Sequence, residues 1–334
     1  MSHYLITGGL GLIGAELAKE LSASGHQVRV IDNLSSGQRN SIEDNCELVL
    51  GDVNDETLVS EVMSGVDGCF HLATPDESSD QDSDDIGCNN VQGMINVLSA
   101  AKNSAGHSPV PVVYASSSIT YGDNAHTSLN EDVTTRPLTS AAADKVAIEL
   151  RARVATLAHG IPTTGLRLFS VYGHSRHESG ANKGVIDIFM ERMKTGQAIA
   201  IYGDGQQTRD FVYLPDVVKF FTAAMSKPAQ QPAIYNVCTG KQTSMQQLAH
   251  MLFSLYGKQI EIRRAAAQKG DIRSSVGNPD LAIRHLGIRA RTPLADGLKQ
   301  MLACQSATTA ISKHSATTAN GRPHTLLCPS TVIS

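Results

Sequence analysis

A chain of 334 residues and 35.5 kDa is too long for one small domain and suits one large α/β unit or two coupled domains. With 41% hydrophobic residues a sizeable core is available, and the lack of any apolar run of about 18 residues predicts no membrane span. The 28 Lys and Arg against 32 Asp and Glu leave a formal charge of −4, which excludes a dominant nucleic-acid surface but not a small basic pocket for phosphates.

The first residues read strand, tight turn, helix, strand. Tyr4-Leu5-Ile6 ends in Thr7-Gly8-Gly9, residues 12–21 have helical spacing, Gly25 stops them, and residues 28–31 form a second strand. No basic leader or cleavage site precedes the first strand, so no secretory signal is expected. β-like runs follow at 47–50, 69–72, 110–115 and 163–168, with helical stretches at 55–63, 90–102 and 142–159 between them. This alternation predicts an α/β fold over residues 1–169, a doubly wound parallel sheet with helices on both faces. From 170 to 302 the pattern loosens. A Gly-, His- and Ser-rich loop at 173–183, a helix at 185–194, a strand at 198–202 and helices at 216–225 and 244–256 predict a smaller lobe. Its segments are expected to interleave with the first unit and cap the open end of its sheet.

Residues 76–85 read DESSDQDSDD, six acids in ten, and suggest a solvated loop. The tail, 303–334, holds SATTA twice and no acid. Such a composition buries too little apolar surface to offset ordering entropy, so disorder is expected. The six cysteines form no CxxC pair and read as free thiols of a reducing cytoplasm. His174 and His177, with only Glu178 nearby, read as loop residues, and no metal site is expected.

Gly8, Gly11 and Gly14 form GxxGxxG straight after a strand and at the start of a helix. Gly8 suits the tight turn, Gly11 lets backbone approach a pyrophosphate, and Gly14 lets helix and strand pack closely. The helix N-terminus then offers N–H donors to phosphates. Asp32 ends the second strand, where an acid grips a ribose diol; it favours NAD over NADP because it repels a 2′-phosphate. Asp52, after the third strand, either bonds an adenine amino group or caps the next helix. Ser116, Ser117 and Ser118 close a core strand, where open α/β sheets bind ligands; on chemistry alone they are equally a Ser-rich turn.

With these motifs on the page, the chain resembles the extended short-chain dehydrogenases/reductases, within the NAD-dependent epimerase/dehydratase family. It is most similar to UDP-hexose and UDP-N-acetylhexosamine 4-epimerases. The matching stretches are TGGLGLIG (7–14), VIDNLSSG (30–37), GDV (51–53), HLA (71–73), NNVQGMINVL (89–98), SSSITYG (116–122), LRLFSVYG (166–173), IYGDGQQTRDFVYLPDVV (201–218), YNVCTGK (235–241) and GDIRSS (270–275). They run in family order through most of the chain. The resemblance implies a Rossmann-type fold, a bound NAD, a UDP-linked sugar as substrate and a homodimer built on helices 90–102 and 142–159. It implies that Leu12, Ile13, Asp32, Asn33, Ser36, Gly37, Asp52, Val53, Leu72, Ala73, Asn90 and Phe169 line the NAD site. By the same matching, Ser117 is the catalytic hydroxyl and Lys145 the catalytic lysine, which also holds the nicotinamide ribose. Arg209 would grip the nucleotide diphosphate, with Ser170, Tyr202, Asp271 and Arg273 beside it; a guanidinium suits bidentate phosphate binding.

The departures carry equal weight. Four residues before Lys145 the family has a Tyr that serves as general acid/base; here it is Ala141. A methyl group carries no proton, and loss of a positioned base typically lowers a rate about 10²–10⁴-fold. Ser170 stands at a usual Asn, and Gln268 at a usual Arg. The loop at 174–183 and the acidic 76–85 stretch also depart from the pattern. Several such changes together favour natural loss or rerouting of the chemistry over one deliberate substitution. Tyr121 and Asp144 are the stand-in bases to consider, although the first reads as a packing residue and the second as a surface helix acid. The expectation is a nucleotide-sugar 4-epimerase of impaired or altered activity. The alternatives are an inactive NAD- and UDP-sugar-binding protein, or a family dehydratase or decarboxylase. Ser118-Ile119 after Ser117, where a dehydratase would favour Asp-Glu, speak against a dehydratase.

Overall fold

Continuous apolar runs bounded by turns become strands buried on both faces. In the computed structural model, residues 1–43, 45–74, 85–102, 108–124, 128–174, 184–267 and 272–304 are described. The acidic stretch at 76–84, most of the loop at 173–183, Gln268, Asp271 and the tail from 305 lie outside them. The first half alternates β1 (His3–Thr7), α1 (Leu12–Ala23), β2 (Gln27–Asp32), β3 (Glu47–Leu50), α2 (Glu56–Met63), β4 (Gly68–His71), α3 (Asp85–Lys102), β5 (Val112–Ser117), α4 (Ser140–His159) and β6 (Thr163–Leu168). The second half runs β7 (Ser170–Tyr172), α5 (Val185–Thr195), β8 (Ile199–Tyr202), β9 (Thr208–Arg209), β10 (Phe211–Tyr213), α6 (Leu214–Ser226), β11 (Ala233–Val237), β12 (Thr243–Ser244), α7 (Met245–Tyr256), β13 (Ile262–Ala265), β14 (Ser274–Ser275) and α8 (Asp280–Leu286). Helical backbone at 294–304 ends the described chain, past the predicted start of the tail at 303.

Seven strands pair in parallel in the order β11-β6-β5-β4-β1-β2-β3. Strand alternation sends neighbouring residues to opposite faces. Ile6, Val30, Phe70 and Val113 join a core with Leu17 of α1 and Phe220 and Phe221 of α6. Leu5, Ile31, Cys69 and Val112 join the other, with Val59 of α2, Met94 of α3 and Ile148 of α4. The second half thus supplies strand β11 and helices α6 and α8 to the first sheet, the interleaving expected from the sequence. Phe189, Met190, Leu248 and Leu252 centre a third core between α5 and α7.

Boundaries move where local chemistry decides them. Asp55 is the N-cap of α2 and accepts the Leu58 N–H at 3.1 Å, so the helix starts one residue later than its apolar pattern and Asp52 is not its cap. β5 runs on to Ser117 because β6 keeps pairing with it through Ser117↔Leu168. α3 begins at Asp85, five residues before the predicted 90.

A buried ion pair joins α4 to the sheet. Arg167 of β6 holds both carboxylate oxygens of Glu149, at 2.9 and 2.7 Å, and Glu149 also accepts from Ser116 Oγ at 2.6 Å. The guanidinium lies 4.7 Å from the centre of the Tyr121 ring. Glu149→Ala leaves Arg167 buried without a counter-charge, so urea unfolding should show a loss of about 3–5 kcal/mol.

Candidate functional site

The parallel strands all end on one edge, where Asp32 and Ser117 close β2 and β5 and Gly8 and Ala73 follow β1 and β4. Gly8 has φ +68°, and a Cβ on it would stand 2.7 Å from the Ala73 backbone. A Cβ on Gly14 would run into the backbone of Gly8 and Gly9. Both positions therefore require glycine. Gly11, the N-cap of α1, makes no side-chain cap bond, which leaves the first-turn N–H groups of Leu12, Ile13 and Gly14 facing outward without one. Among the described residues the only atom within reach of a Gly11 Cβ is Gly8 O, at 3.4 Å.

Asp32 is buried at the end of β2. Its carboxylate accepts the Leu10 N–H at 3.0 Å and the Leu34 N–H at 2.8 Å. Leu34 sits in the left-handed region, φ +62°, the only non-glycine to do so among the described residues. Gly37 packs on Leu10 so closely that a Cβ would stand 2.5 Å from the Leu10 side chain. Asn33 Nδ2 donates to Asp52 Oδ2 at 2.9 Å, and Asp52 Oδ1 accepts the Asn54 N–H at 2.8 Å. Exposed Ser36 and half-buried Val53 complete this rim.

Thr7 and His71, which the sequence reading did not single out as site residues, shape the next part. Thr7 Oγ1 accepts the N–H groups of Leu72 and Ala73, each at 3.2 Å. Its own proton is left for His71 Nδ1, at 2.8 Å, which puts the imidazole hydrogen on Nε2. Burial, helped by the nearby Lys145 charge, lowers the His71 pKa to about 3. The ring is neutral when folded, whereas an unfolded His binds a proton below about 6.5. The unfolded state therefore gains a proton first as pH falls, and this contribution to stability is lost between pH 6.5 and about 3. Urea titrations across that window should show His71→Gln with a flatter pH dependence, by up to roughly 1.4 kcal/mol per pH unit.

Ser117 ends β5 and caps the 3₁₀ turn Ser118–Tyr121, its Oγ accepting the Ile119 N–H at 3.3 Å. Lys145 is buried on α4 and donates to Thr74 Oγ1 at 3.0 Å and to the Ala115 carbonyl at 3.4 Å. Ala141 lies one turn before it on the same face, half-buried. Neither stand-in base fits the role. Tyr121 is fully buried, its hydroxyl donates to Asn236 Oδ1 at 2.7 Å, and burial pushes its pKa up to about 12. Asp144 is not a free surface acid: it accepts from Asn90 Nδ2 at 3.2 Å, and burial raises its pKa. Asn90 Oδ1 is itself buried with no partner, an acceptor waiting for a donor.

The second half closes the site. β14 pairs with β9 through Ser275↔Arg209, and Ser275 Oγ donates to Ser118 Oγ at 3.5 Å, which sets the strand of Arg209 beside the turn of Ser117. Arg209 Nη1 donates to the carbonyls of Thr208 at 3.0 Å and Ile272 at 2.7 Å. Ser170 begins β7, and its N–H bonds the Asp210 carbonyl at 2.9 Å. Tyr202 is exposed at the end of β8. Arg273 forks onto Asp204 at 2.7 and 2.8 Å and holds that carboxyl down to about 2. Phe169 is buried, its ring 6.3 Å from that of Tyr121, in the core beneath the site. Among the described residues no three His, Cys, Asp or Glu side chains group as metal ligands.

Sheet order, glycine turn and acidic strand end define a doubly wound dinucleotide-binding protein whose second half adds small sheets of its own. The NAD dependent epimerase/dehydratase family model matches residues 4–238, and the chain belongs to that family. It is 32% identical over 305 residues to the UDP-glucose 4-epimerase of Mycolicibacterium smegmatis, covering 88% of this chain and 95% of that protein. Among solved structures it is similar to a UDP-glucose 4-epimerase of Thermotoga maritima with UDP-glucose, at TM-score 0.85 and 28% identity, covering 92% of this chain and 99% of that one. It is also similar to the Thermus thermophilus UDP-glucose 4-epimerase in complex with NAD, at TM-score 0.78 and 27% identity, over 89% and 96% of the two chains. Family, fold and NAD as cofactor are as the motifs implied. The residues present fit that cofactor: a glycine turn without room for side chains, an uncapped helix start for a pyrophosphate, and the orphaned buried acceptor of Asn90.

Proposed function

We propose that this protein holds NAD and a UDP-linked hexose or N-acetylhexosamine as a 4-epimerase does, with turnover depressed by the missing phenol at Ala141. The observation that carries the reading is Ser117 and Lys145 at one strand end, with the strand of Arg209 beside them. NAD, when bound, supplies the hydride acceptor for the sugar carbon. Asp32 would hold the adenosine ribose, and the first turn of α1 the pyrophosphate. Lys145 would orient the nicotinamide ribose, Ser117 would polarise the sugar hydroxyl, and Arg209 would clamp the diphosphate. Ser170 and Tyr202 would flank the nucleotide, with Asp271 and Arg273.

Proton handling is what the chain lacks. Tyr121 is locked to Asn236 and Asp144 is bonded to Asn90. These commitments also support a second reading, a protein that binds both ligands without turnover. Ala141→Tyr separates the two: 4-epimerisation of UDP-glucose or UDP-N-acetylglucosamine should rise about 10²–10⁴-fold. Equal and rapid turnover before and after the substitution overturns the assignment of the base.

The protein is further proposed to be a cytoplasmic homodimer. Cys46, Cys69 and Cys238, none of them in a disulfide among the described residues, accord with a reducing compartment. Leu150, Val154 and Leu157 of α4 are exposed at 59%, 55% and 58% and spaced four and three apart, an apolar seam suited to a helix partner. Leu150→Lys with Leu157→Lys should sediment as a monomer where the parent sediments as a dimer.

A further inference from the structure

Asp210 has no solvent exposure, and among the described residues its carboxylate is held by backbone N–H groups and one hydroxyl rather than by a cation. One oxygen accepts the Thr239 N–H at 2.9 Å and the Thr239 hydroxyl at 2.6 Å. The other accepts the N–H groups of Gly240 at 2.8 Å and Gly277 at 3.4 Å. A buried carboxylate is tolerable only when its lone pairs are so filled. Burial nonetheless raises its pKa above the usual carboxylate value. The backbone of the same residue is equally engaged. Its N–H reaches the Ser275 carbonyl at 3.0 Å, and its carbonyl takes the Ser170 N–H at 2.9 Å.

These partners come from three parts of the fold. Thr239 and Gly240 follow β11 of the large sheet. Ser170 opens β7 where the chain leaves β6. Ser275 and Gly277 belong to β14 and the turn after it. One side chain therefore fastens the exit of the large sheet to the small sheet β12-β9-β14. Arg209 precedes it by one peptide bond, and its guanidinium is held on the Thr208 and Ile272 carbonyls beside a residue whose side chain and backbone are both bonded.

We infer that Asp210 is the positioning residue of the diphosphate subsite, aligning Arg209 and Ser170 by anchoring the crossing between the two sheets. The inference rests on the nucleotide-sugar reading above and assigns Asp210 no contact with ligand.

Two titrations test it, one with UDP and one with NAD, because the glycine turn and Asp32 lie on the far side of the large sheet from this crossing. Asp210→Asn should weaken UDP binding about tenfold to a hundredfold, the loss expected when a charged hydrogen bond is misplaced, while NAD affinity stays within about twofold. Thr239→Val removes one donor, keeps its N–H, and should show a smaller loss of the same kind, which covers the case of Asp210→Asn failing to fold. If Asp210 acts through Arg209, then Arg209→Ala with Asp210→Asn should bind UDP no more weakly than Arg209→Ala alone. Variants that bind UDP like the parent overturn the inference. So does parallel loss of both ligands with a lowered Tm, the mark of a merely structural role. A parent protein that takes NAD but no UDP overturns the nucleotide-sugar reading as well.

Discussion

The site depends on where α4 lies against the sheet, and the bidentate pair between Glu149 and Arg167 sets that placement. Glu149 sits one turn after Lys145 on the same helix, and its carboxylate also takes the hydroxyl of Ser116, next to Ser117. A single, mostly buried carboxylate therefore spans the helix of the lysine and the strand of the serine. Charges this far from water are favourable only when every partner is in place. The separation of Ser117 from Lys145 consequently follows from core electrostatics rather than from the loops around them.

A second dependence runs through topology. Parallel strands bring their carboxyl ends to one edge whatever their side chains are, and the small sheets of the second half are hung from that edge. Strand β11 is the hinge of this arrangement. It completes the large sheet through β6 and then hands the chain to the turn that holds Asp210. On the reading proposed above, hydride transfer belongs to the cofactor, and the chain retains the means of placement while lacking a proton carrier. Placement and proton handling are separable because they come from different layers, one from backbone and buried polar pairs, the other from a single side chain at position 141.

Much of this was legible in the residues themselves. The glycine turn and Asp32 announce themselves because each lies in a short run whose spacing is local, whereas Ser117 and Lys145 were readable only through the family resemblance. What stayed hidden depends on distant partners. Thr7 meets His71 across 64 residues and Tyr121 meets Asn236 across 115, and no local pattern encodes such contacts. Tyr121 read correctly as a packing residue, but the reason, a ring under Arg167 with its hydroxyl on another strand, needed coordinates. Asp144 read as a surface acid because helix periodicity cannot tell solvent from the flank of α3. The early start of α3 escaped notice because Asp85, Gly87 and Asn89 interrupt its apolar pattern.

Leu34 has a wider meaning. A leucine held at φ +62° is unfavourable by about 1–2 kcal/mol, and the bond from its N–H to buried Asp32 offsets that strain in the folded chain. The loop after β2 therefore already has its final curvature before any adenosine arrives. On the reading proposed above, ordering entropy that a floppy loop would surrender on capture has been surrendered during folding, which lowers the cost of holding an adenosine there.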